Sequence, residues 1–538
     1  MAYSETTLAV PPPQINKSNL FFTRWLRKPG VYIGAMFLVT AFAVYLCAGI
    51  LVFEPGNYLY PACWLAGFGF VIFGVAYCFV CSIYAIFIRP ENLPEAPLSS
   101  LPRTAILYPV LNETFGLFER MSHSLSNNDE EGIDLWVLSD SPADQEILSY
   151  ESEVVTKLRE KFGEQRIHYW RRKHPTERKQ GNIKGWLDNH KAEYPYFIVC
   201  DADTILGRGV IRKLLAKANH PANAGIAIFQ SCLHVAHART YFAKFQASSA
   251  PLAQRLYVAV NQAIFGRALY FGHAGLIRSD VFAKIQLPLG IASHDIWETA
   301  ILDRMGYRVA FCLDVVNYEE VPANYLEMRA RDRRWAKGNL QTPPLLWAKG
   351  LSLATRFYVF YGLYIYICQP VFLAWLFMGF FGGSLLEGKM LSFQRYAFVG
   401  ASVVDLEMTS MLIGVMLVVF FHKMVIARSW REVGQIIREI FLSTALCLNN
   451  VFYQTLDMLL LPFGKWGWIP MNKNPNATLE LADAARQLWP STVLGIVGLY
   501  FGCNYSPHWV AGASVFLISF GLGIPIAYLT GQASGATT

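Results

Sequence analysis

Two apolar runs near the amino terminus, residues 31–53 and 62–88, are each long enough to cross a hydrocarbon layer of about 30 Å. The connector between them, EPGNYLYP, holds no Lys or Arg. Arg24, Arg27 and Lys28 precede the first run, and Arg89 follows the second. Positive charge stays on the cytoplasmic side. The spacing therefore predicts a cytoplasmic arm over residues 1–30 and a pair of transmembrane helices over 31–90. Composition agrees, since 54% of the 538 residues are hydrophobic and only 16% are charged. A water-soluble chain of this length carries more charge. The start, MAYSETTLAVPPPQ, is Pro-rich and lacks the charged and apolar regions of a signal peptide.

Residues 101–349 read differently. Short apolar runs (TAILYPV, DLWVLSD, RIHYWRR, YFIVCDAD, AGIAIFQ, YRVAFCLD) alternate with polar, helix-like stretches. That alternation predicts an α/β domain with a mostly parallel sheet, cytoplasmic by the topology above. Two more spans are expected over 354–421. Residues 422–490 read as an interfacial or re-entrant region on the cytoplasmic side. It has a basic amphipathic stretch followed by an apolar segment, 441–461, broken by Asn449, Asn450, Gln454 and Asp457. Residues 491–529 suggest a closing transmembrane hairpin. Six spans result, or seven if 441–461 crosses.

The net charge of +7 is modest, and no concentrated basic stripe suggests nucleic-acid binding. The ten cysteines form no disulfide framework. Cys78 and Cys81 make a CxxC inside an apolar run, where packing explains them.

The chemistry concentrates at strand ends. In open α/β sheets ligands bind beyond the carboxyl ends of the strands. YFIVCDAD ends there in Asp201 and Asp203. Two hard oxygen donors suit Mg²⁺ or Mn²⁺ bridged to phosphates, although a lone DxD also closes ordinary turns. ILYPVLNET ends in Pro109, Asn112 and Glu113, and LWVLSD in Asp140. ERKQGN sets Arg178 and Lys179 beside a glycine, as a diphosphate site would. SHDIWE places His294 and Asp295 ahead of a helix with Glu298. RDRRWAKGNLQ carries Arg331, Arg333, Arg334, Trp335 and Gln341, and taken alone better suits a basic segment next to a membrane.

These segments, in this order and between apolar runs, resemble the processive family-2 glycosyltransferases, the group holding cellulose and hyaluronan synthases. LSDS, GHAGLIR, SHDIWE and YEEVPANYLEMRARDRRWAKGNLQ resemble more narrowly the branch that builds osmoregulated periplasmic glucans. The resemblance implies a multi-pass helical membrane protein carrying a GT-A nucleotide-sugar-binding domain. It implies an inverting enzyme in the bacterial inner membrane that polymerises UDP-glucose into a β-glucan, with β-1,2 linkage suggested, and exports it. Asp295 is then the general base. Pro109, Asn112, Glu113, Asp140, Lys179, Asp201, Arg331 and Arg334 bind the nucleotide sugar. Asp201 and Asp203 hold Mg²⁺ or Mn²⁺. Gly272, His273 and Trp335 face the acceptor, a growing glucan. An acyl carrier protein or periplasmic glucan-modifying proteins are further partners by resemblance.

Two positions depart from the wider family: His294 stands where a Glu precedes the base, and Arg331 where a Gln would be. Single transfer to a lipid carrier, or synthesis of a β-1,3 glucan or cellulose, are the alternative enzyme readings. A transporter or scaffold that senses nucleotide sugar is the alternative outside enzymes. Tyr358, Tyr361 and Tyr364 are expected either to line a product path or to form an interfacial aromatic belt.

Overall fold

The computed structural model describes residues 25–52, 55–88, 90–172, 175–380, 392–393, 418, 422–463, 477–505 and 517–534. Two apolar helices come first, α1 (Pro29–Ile50) and α2 (Leu59–Phe87). An α/β domain follows. Its elements are β1 (Thr104–Val110), α3 (Leu117–Ser126), β2 (Ile133–Ser139), α4 (Gln145–Phe162), β3 (Ile167–Arg171), α5 (Arg178–His190), β4 (Tyr196–Val199), α6 (Val210–Ala218), β5 (Ile226–Val235), α7 (Tyr241–Ala253), β6 (Gly275–Arg278), α8 (Asp295–Arg304), β7 (Arg308–Glu319) and α9 (Tyr325–Asn339). Apolar helices return as α10 (Leu353–Phe380), α11 (Trp430–Leu460), α12 (Leu481–Tyr505) and α13 (Gly523–Thr530).

The sheet has seven strands in the order β3-β2-β1-β4-β6-β5-β7. β1 pairs in parallel with β2 on one side and β4 on the other. The chain reverses direction across the sheet at β1, which leaves a crevice at the carboxyl ends of these strands. Six strands lie where the apolar runs place them. β6 does not come from that pattern. Its four residues are too few for a periodicity to register, yet it pairs antiparallel with both β4 and β5 and makes the sheet mixed. Buried apolar side chains pack on both faces, Leu117, Met121 and Val154 on one and Ile183, Trp186 and Leu302 on the other. Covering both faces keeps β1 and β2 buried along almost their whole length.

Local chemistry sets the helix starts. Asp144 caps α4, accepting from the amides of Glu146 and Ile147. Asn324 caps α9 through the amides of Leu326 and Glu327, and Thr240 caps α7. Each satisfies amides that the first turn leaves unbonded.

Among the described residues, α1, α2 and α10 are long and apolar enough to cross a membrane. The CxxC lies in α2, with Cys81 buried and Cys78 half-buried. Tyr358, Tyr361 and Tyr364 on α10 pack against other elements. Tyr364 donates to Phe70 O at 2.9 Å and accepts from Gly74 N at 2.8 Å. Tyr358 donates to Arg267 O at 2.8 Å. The Tyr361 ring meets Tyr77 at 4.2 Å between centroids. They pack against other elements where a product path or an interfacial belt was expected. The hydroxyls of Tyr358 and Tyr364 find backbone partners, which suits buried tyrosines.

Residues 430–460 are one unbroken helix. The change from polar to apolar composition near 441 does not interrupt it, since no proline falls within. Its polar residues are partnered. Asn449 donates to Ser519 O at 2.5 Å and accepts from Ser491 Oγ at 2.7 Å. Asp457 accepts from Nε and Nη2 of Arg329, each at 3.0 Å, and the guanidinium lies over the Tyr453 ring. α11 is thereby pinned to α9. The expected span 401–421 lies almost wholly outside the described residues, as does 509–516 in the closing hairpin.

Candidate active site

The loops after β1 and β2 are tied together. The Asn112 amide donates to Ser141 Oγ at 3.0 Å, and Ser141 donates to the buried Glu151 at 2.6 Å. Asn112 has a φ of 56°, a region that residues other than glycine rarely occupy. Pro109 sits in β1, and Glu113 is buried just beyond it. Asp140 is held by Arg172, whose Nε and Nη2 donate to its two oxygens at 2.8 and 2.6 Å. Such a bidentate pair fixes geometry as well as charge. Arg172 also donates to the carbonyls of Thr176 and Arg178, so it shapes the basic loop. Glu177 and Arg178 there have φ values of 57° and 52°. Gly181 has no space for a side chain, because a Cβ would fall 2.1 Å from Thr176 O.

That loop delivers Lys179 into the crevice. Its Nζ donates to Asp201 Oδ1 at 2.5 Å and to Gly272 O at 2.9 Å. The Asp201 carboxylate remains 40% exposed, so it is open to a ligand. Its backbone amide donates to Thr204 Oγ1 at 3.1 Å. Asp203 lies within electrostatic reach of Arg334. Burial and the nearby Arg331 and Arg333 lower the Arg334 pKa, while Asp203 and Asp332 oppose the shift. Among the described residues no group of three or more His, Cys, Asp or Glu could hold a metal unaided. Two aspartates with an open side fit a hard cation whose remaining ligands are water and phosphate.

The Lys179 contact crosses to the opposite wall. Gly272 has a φ of +84°, and a Cβ built there would lie 3.3 Å from His294 Cε1 and 3.7 Å from Asp295 Cβ. Ala274, two residues on, has a φ of 55°. His273 faces Glu319 at 3.3 Å. Burial alone would push this imidazole down, but the charges of Asp201 and Glu319 prevail and raise it to about 9. Strained backbone at Asn112, Glu177, Arg178 and Ala274 thus surrounds one crevice, the pattern expected where function fixes conformation.

Asp295 opens α8 and accepts from Ser293 Oγ at 2.5 Å. α9 packs directly behind this loop. Gly338 comes so near that a Cβ there would fall 2.2 Å from Ser293 Cβ. Gln341 accepts from the Ala292 amide at 2.7 Å. Trp335 is 49% exposed. Arg331 stacks over the indole at 4.3 Å and bonds Asp332 at 3.2 Å. Its guanidinium thus has partners within α9, and Arg334 lies within electrostatic reach of Asp203.

One connected set therefore holds Lys179, Asp201, Gly272, His294 and Asp295, with Asp140 at one end and Trp335 at the other. Arg172 and Tyr270 belong to the site without having been expected. Arg172 stands at the end of a strand, the position that marked Asp140, but no motif surrounds it. Tyr270 is buried, which raises its pKa well above 10, and its hydroxyl lies within electrostatic reach of Glu298, Asp201 and Asp295. Only the GHAG segment beside it hinted at its place.

Residues 196–427 match the family model described as glycosyl transferase family group 2. The glucans biosynthesis glucosyltransferase H of Shewanella oneidensis is 26% identical over 93% of this chain and 74% of its own length. That of Bradyrhizobium diazoefficiens is 25% identical over 94% and 74%. That of Rhodopseudomonas palustris is 28% identical over 80% and 64%. These proteins are homologues of this chain. Among solved structures, the mannosyltransferase PcManGT from Pyrobaculum calidifontis, in complex with GDP-Man and Mn²⁺, covers 75% of this chain and 98% of its own. Its identity is 12% and its TM-score 0.46, a similarity too low to build on. The domain that carries this match has a mixed seven-stranded sheet and is attached to apolar helices that could span a membrane.

Proposed function

We propose that this chain, by homology a glucosyltransferase of glucan biosynthesis, transfers glucose from UDP-glucose to a growing β-glucan with inversion at the anomeric carbon. One observation carries the reading. Lys179 bonds both Asp201 and the carbonyl of Gly272, whose neighbours are His294 and Asp295. A donor-side acid and an acceptor-side base are thereby set around one cation.

The chemistry follows from the placement. The acceptor hydroxyl is a weak nucleophile, and Asp295 takes its proton as it attacks the anomeric carbon. The bond from that carbon to the diphosphate breaks, and UDP departs with the electron pair. Lys179 and Arg334 neutralise the charge that develops on the leaving diphosphate. Asp201 and Asp203 would hold Mg²⁺ or Mn²⁺, which supplies further charge neutralisation there when bound. Asp140, oriented by Arg172, presents an acceptor edge to the uracil, with Pro109, Asn112 and Glu113 lining that pocket. Trp335 offers an apolar face to an acceptor sugar ring. Gly272 allows that ring to approach the backbone, and His273 braces the same loop through Glu319.

The proposal extends to a β-1,2 linkage, a multi-pass inner-membrane protein with this domain in the cytoplasm, and export of the product. The charge distribution around residues 24–89 supports that orientation. It does not extend to an acyl carrier protein. Purified protein supplied with labelled UDP-glucose and Mg²⁺ or Mn²⁺ tests the reading. Wild type should form sized, labelled glucan, and Asp295→Asn should lose about 10²–10⁴ of the rate. Equal incorporation by the variant would overturn the assignment of the base. A product bearing a single sugar on lipid would favour a lipid-carrier acceptor.

A further inference from the structure

The carboxylate of Glu298 has no place in the reaction described so far, and its surroundings are unusual. It is fully buried, one turn along α8 from Asp295. Oε2 lies 2.9 Å from His294 Nδ1. Oε1 is buried and, among the described residues, has no hydrogen-bond partner. Burying a carboxylate that incompletely satisfied is costly and needs a return.

His294 occupies the N-cap position of α8, yet its side chain makes no cap hydrogen bond. The imidazole instead turns toward Glu298. When the neutral ring donates Nδ1–H to that carboxylate, Nε2 keeps its lone pair. The Cε1–Nε2 edge lies over Gly272, 3.3 and 3.7 Å from the position a Cβ would occupy. Asp295 Cβ is 3.7 Å from that same point. The absent side chain of Gly272 thus leaves a space bordered by an imidazole acceptor on one side and the base on the other.

We propose that His294, fixed by Glu298, is an acceptor-positioning residue whose Nε2 accepts a hydrogen bond from the sugar hydroxyl adjacent to the one Asp295 deprotonates. The recognised group is a vicinal diol. One hydroxyl goes to the base, and its neighbour goes to the imidazole. The pair therefore selects which hydroxyl is glycosylated and so sets the linkage. This rests on the reading of Asp295 as base in a UDP-glucose transferase.

The test uses the full-length protein in lipid nanodiscs with a short β-glucan as acceptor. It compares wild type, His294→Ala, His294→Gln and Glu298→Gln. Acceptor KM, kcat, UDP affinity, thermal stability and product linkage are measured for each. His294→Ala should raise acceptor KM about tenfold, the size of one lost hydrogen bond of about 1.4 kcal/mol, and broaden the linkage pattern. UDP affinity should stay unchanged. His294→Gln, which keeps an acceptor oxygen, should recover part of the acceptor KM. Glu298→Gln should give a smaller rise, since its amide oxygen still accepts from Nδ1.

A purely structural role would lower stability and kcat, and leave acceptor KM and linkage as in wild type. That outcome overturns the proposal. Should His294→Ala fail to fold, His294→Gln and Glu298→Gln decide it by the same two readouts. Wild-type protein that turns over no UDP-glucose would overturn both this proposal and the donor assignment beneath it.

Discussion

Gly338→Ala offers a sharp test of how α9 positions Asp295, the proposed base, because two effects of opposite sign compete. Inside an ordinary helix, Gly→Ala stabilises by about 1 kcal/mol. Here the new Cβ would lie 2.2 Å from Ser293 Cβ and 3.2 Å from both Ser293 N and Oγ. Ordinary contact begins near 3.4 Å, so the two groups must separate by about 1.2 Å. A Cβ is tied to its backbone, and rotating the Ser293 side chain cannot relieve the clash. Either the loop 290–294 or the carboxyl end of α9 has to move. Overpacking of this kind costs about 1–3 kcal/mol, which cancels or outweighs the gain in helix propensity.

The functional effect should exceed the change in stability. Ser293 Oγ orients Asp295 at 2.5 Å, and Trp335 lies one turn before Gly338. Displacing a catalytic group by about 1 Å can cost roughly a hundredfold in rate. Steady-state transfer from labelled UDP-glucose, with thermal unfolding on the same preparation, measures both. The expected result is a large fall in kcat/KM, unchanged UDP affinity and little or no gain in stability. An Ala variant more stable by about 1 kcal/mol and as fast as wild type would show that α9 does not position the base.

Other outcomes follow from the same contacts. Arg329→Ala should destabilise the protein by about 3–5 kcal/mol, since it strands the buried Asp457. Adding Asp457→Leu should recover most of that loss in a double-mutant cycle. Tyr364→Phe removes a hydroxyl bonded to Phe70 O and Gly74 N and should cost about 1–2 kcal/mol, with transfer per folded molecule preserved. Burial raises Glu327 to about 6 from an ordinary 4.5. The folded state thus binds this proton more tightly than the unfolded chain does. Stability from this group should fall as pH rises from 4.5 to 6, by about 2 kcal/mol in total. Glu327→Gln should flatten that part of a stability–pH curve.

The parts of this architecture that span enough residues to form a pattern were readable in advance. The apolar runs of α1, α2 and α10 and six strands of the sheet are of that kind. So were the acids beyond β2 and β4, because a strand that ends abruptly in carboxylates is a local signal. β6 was not readable, since four residues carry no periodicity. Arg172 was missed because its role depends on reaching Asp140 across the β2–β3 edge, a relation that no local spacing records. The tyrosines of α10 were misread for a related reason. Their spacing places them on one side of a helix, but the sequence does not say that Gly67 and Gly74 let α10 come close enough to use them in packing. The polar residues of α11 suggested a broken segment because their partners lie far away along the chain. Arg329 is 128 residues from Asp457, and Ser519 is 70 from Asn449.

That separation bears on the order in which the molecule is assembled. Synthesis runs from the amino terminus, and domains fold as units when complete. By the time Asp457 emerges, the sheet and α9 have been made and Arg329 is in place. A lone carboxylate on an apolar helix is a poor candidate for lipid until it is neutralised. Seating α11 with Asp457 paired therefore depends on α9 presenting Arg329, and seating Asn449 depends on Ser491 and Ser519. The carboxyl-terminal helices thus report on the α/β domain: a chain in which α9 is misplaced leaves the carboxylate of α11 without its cation.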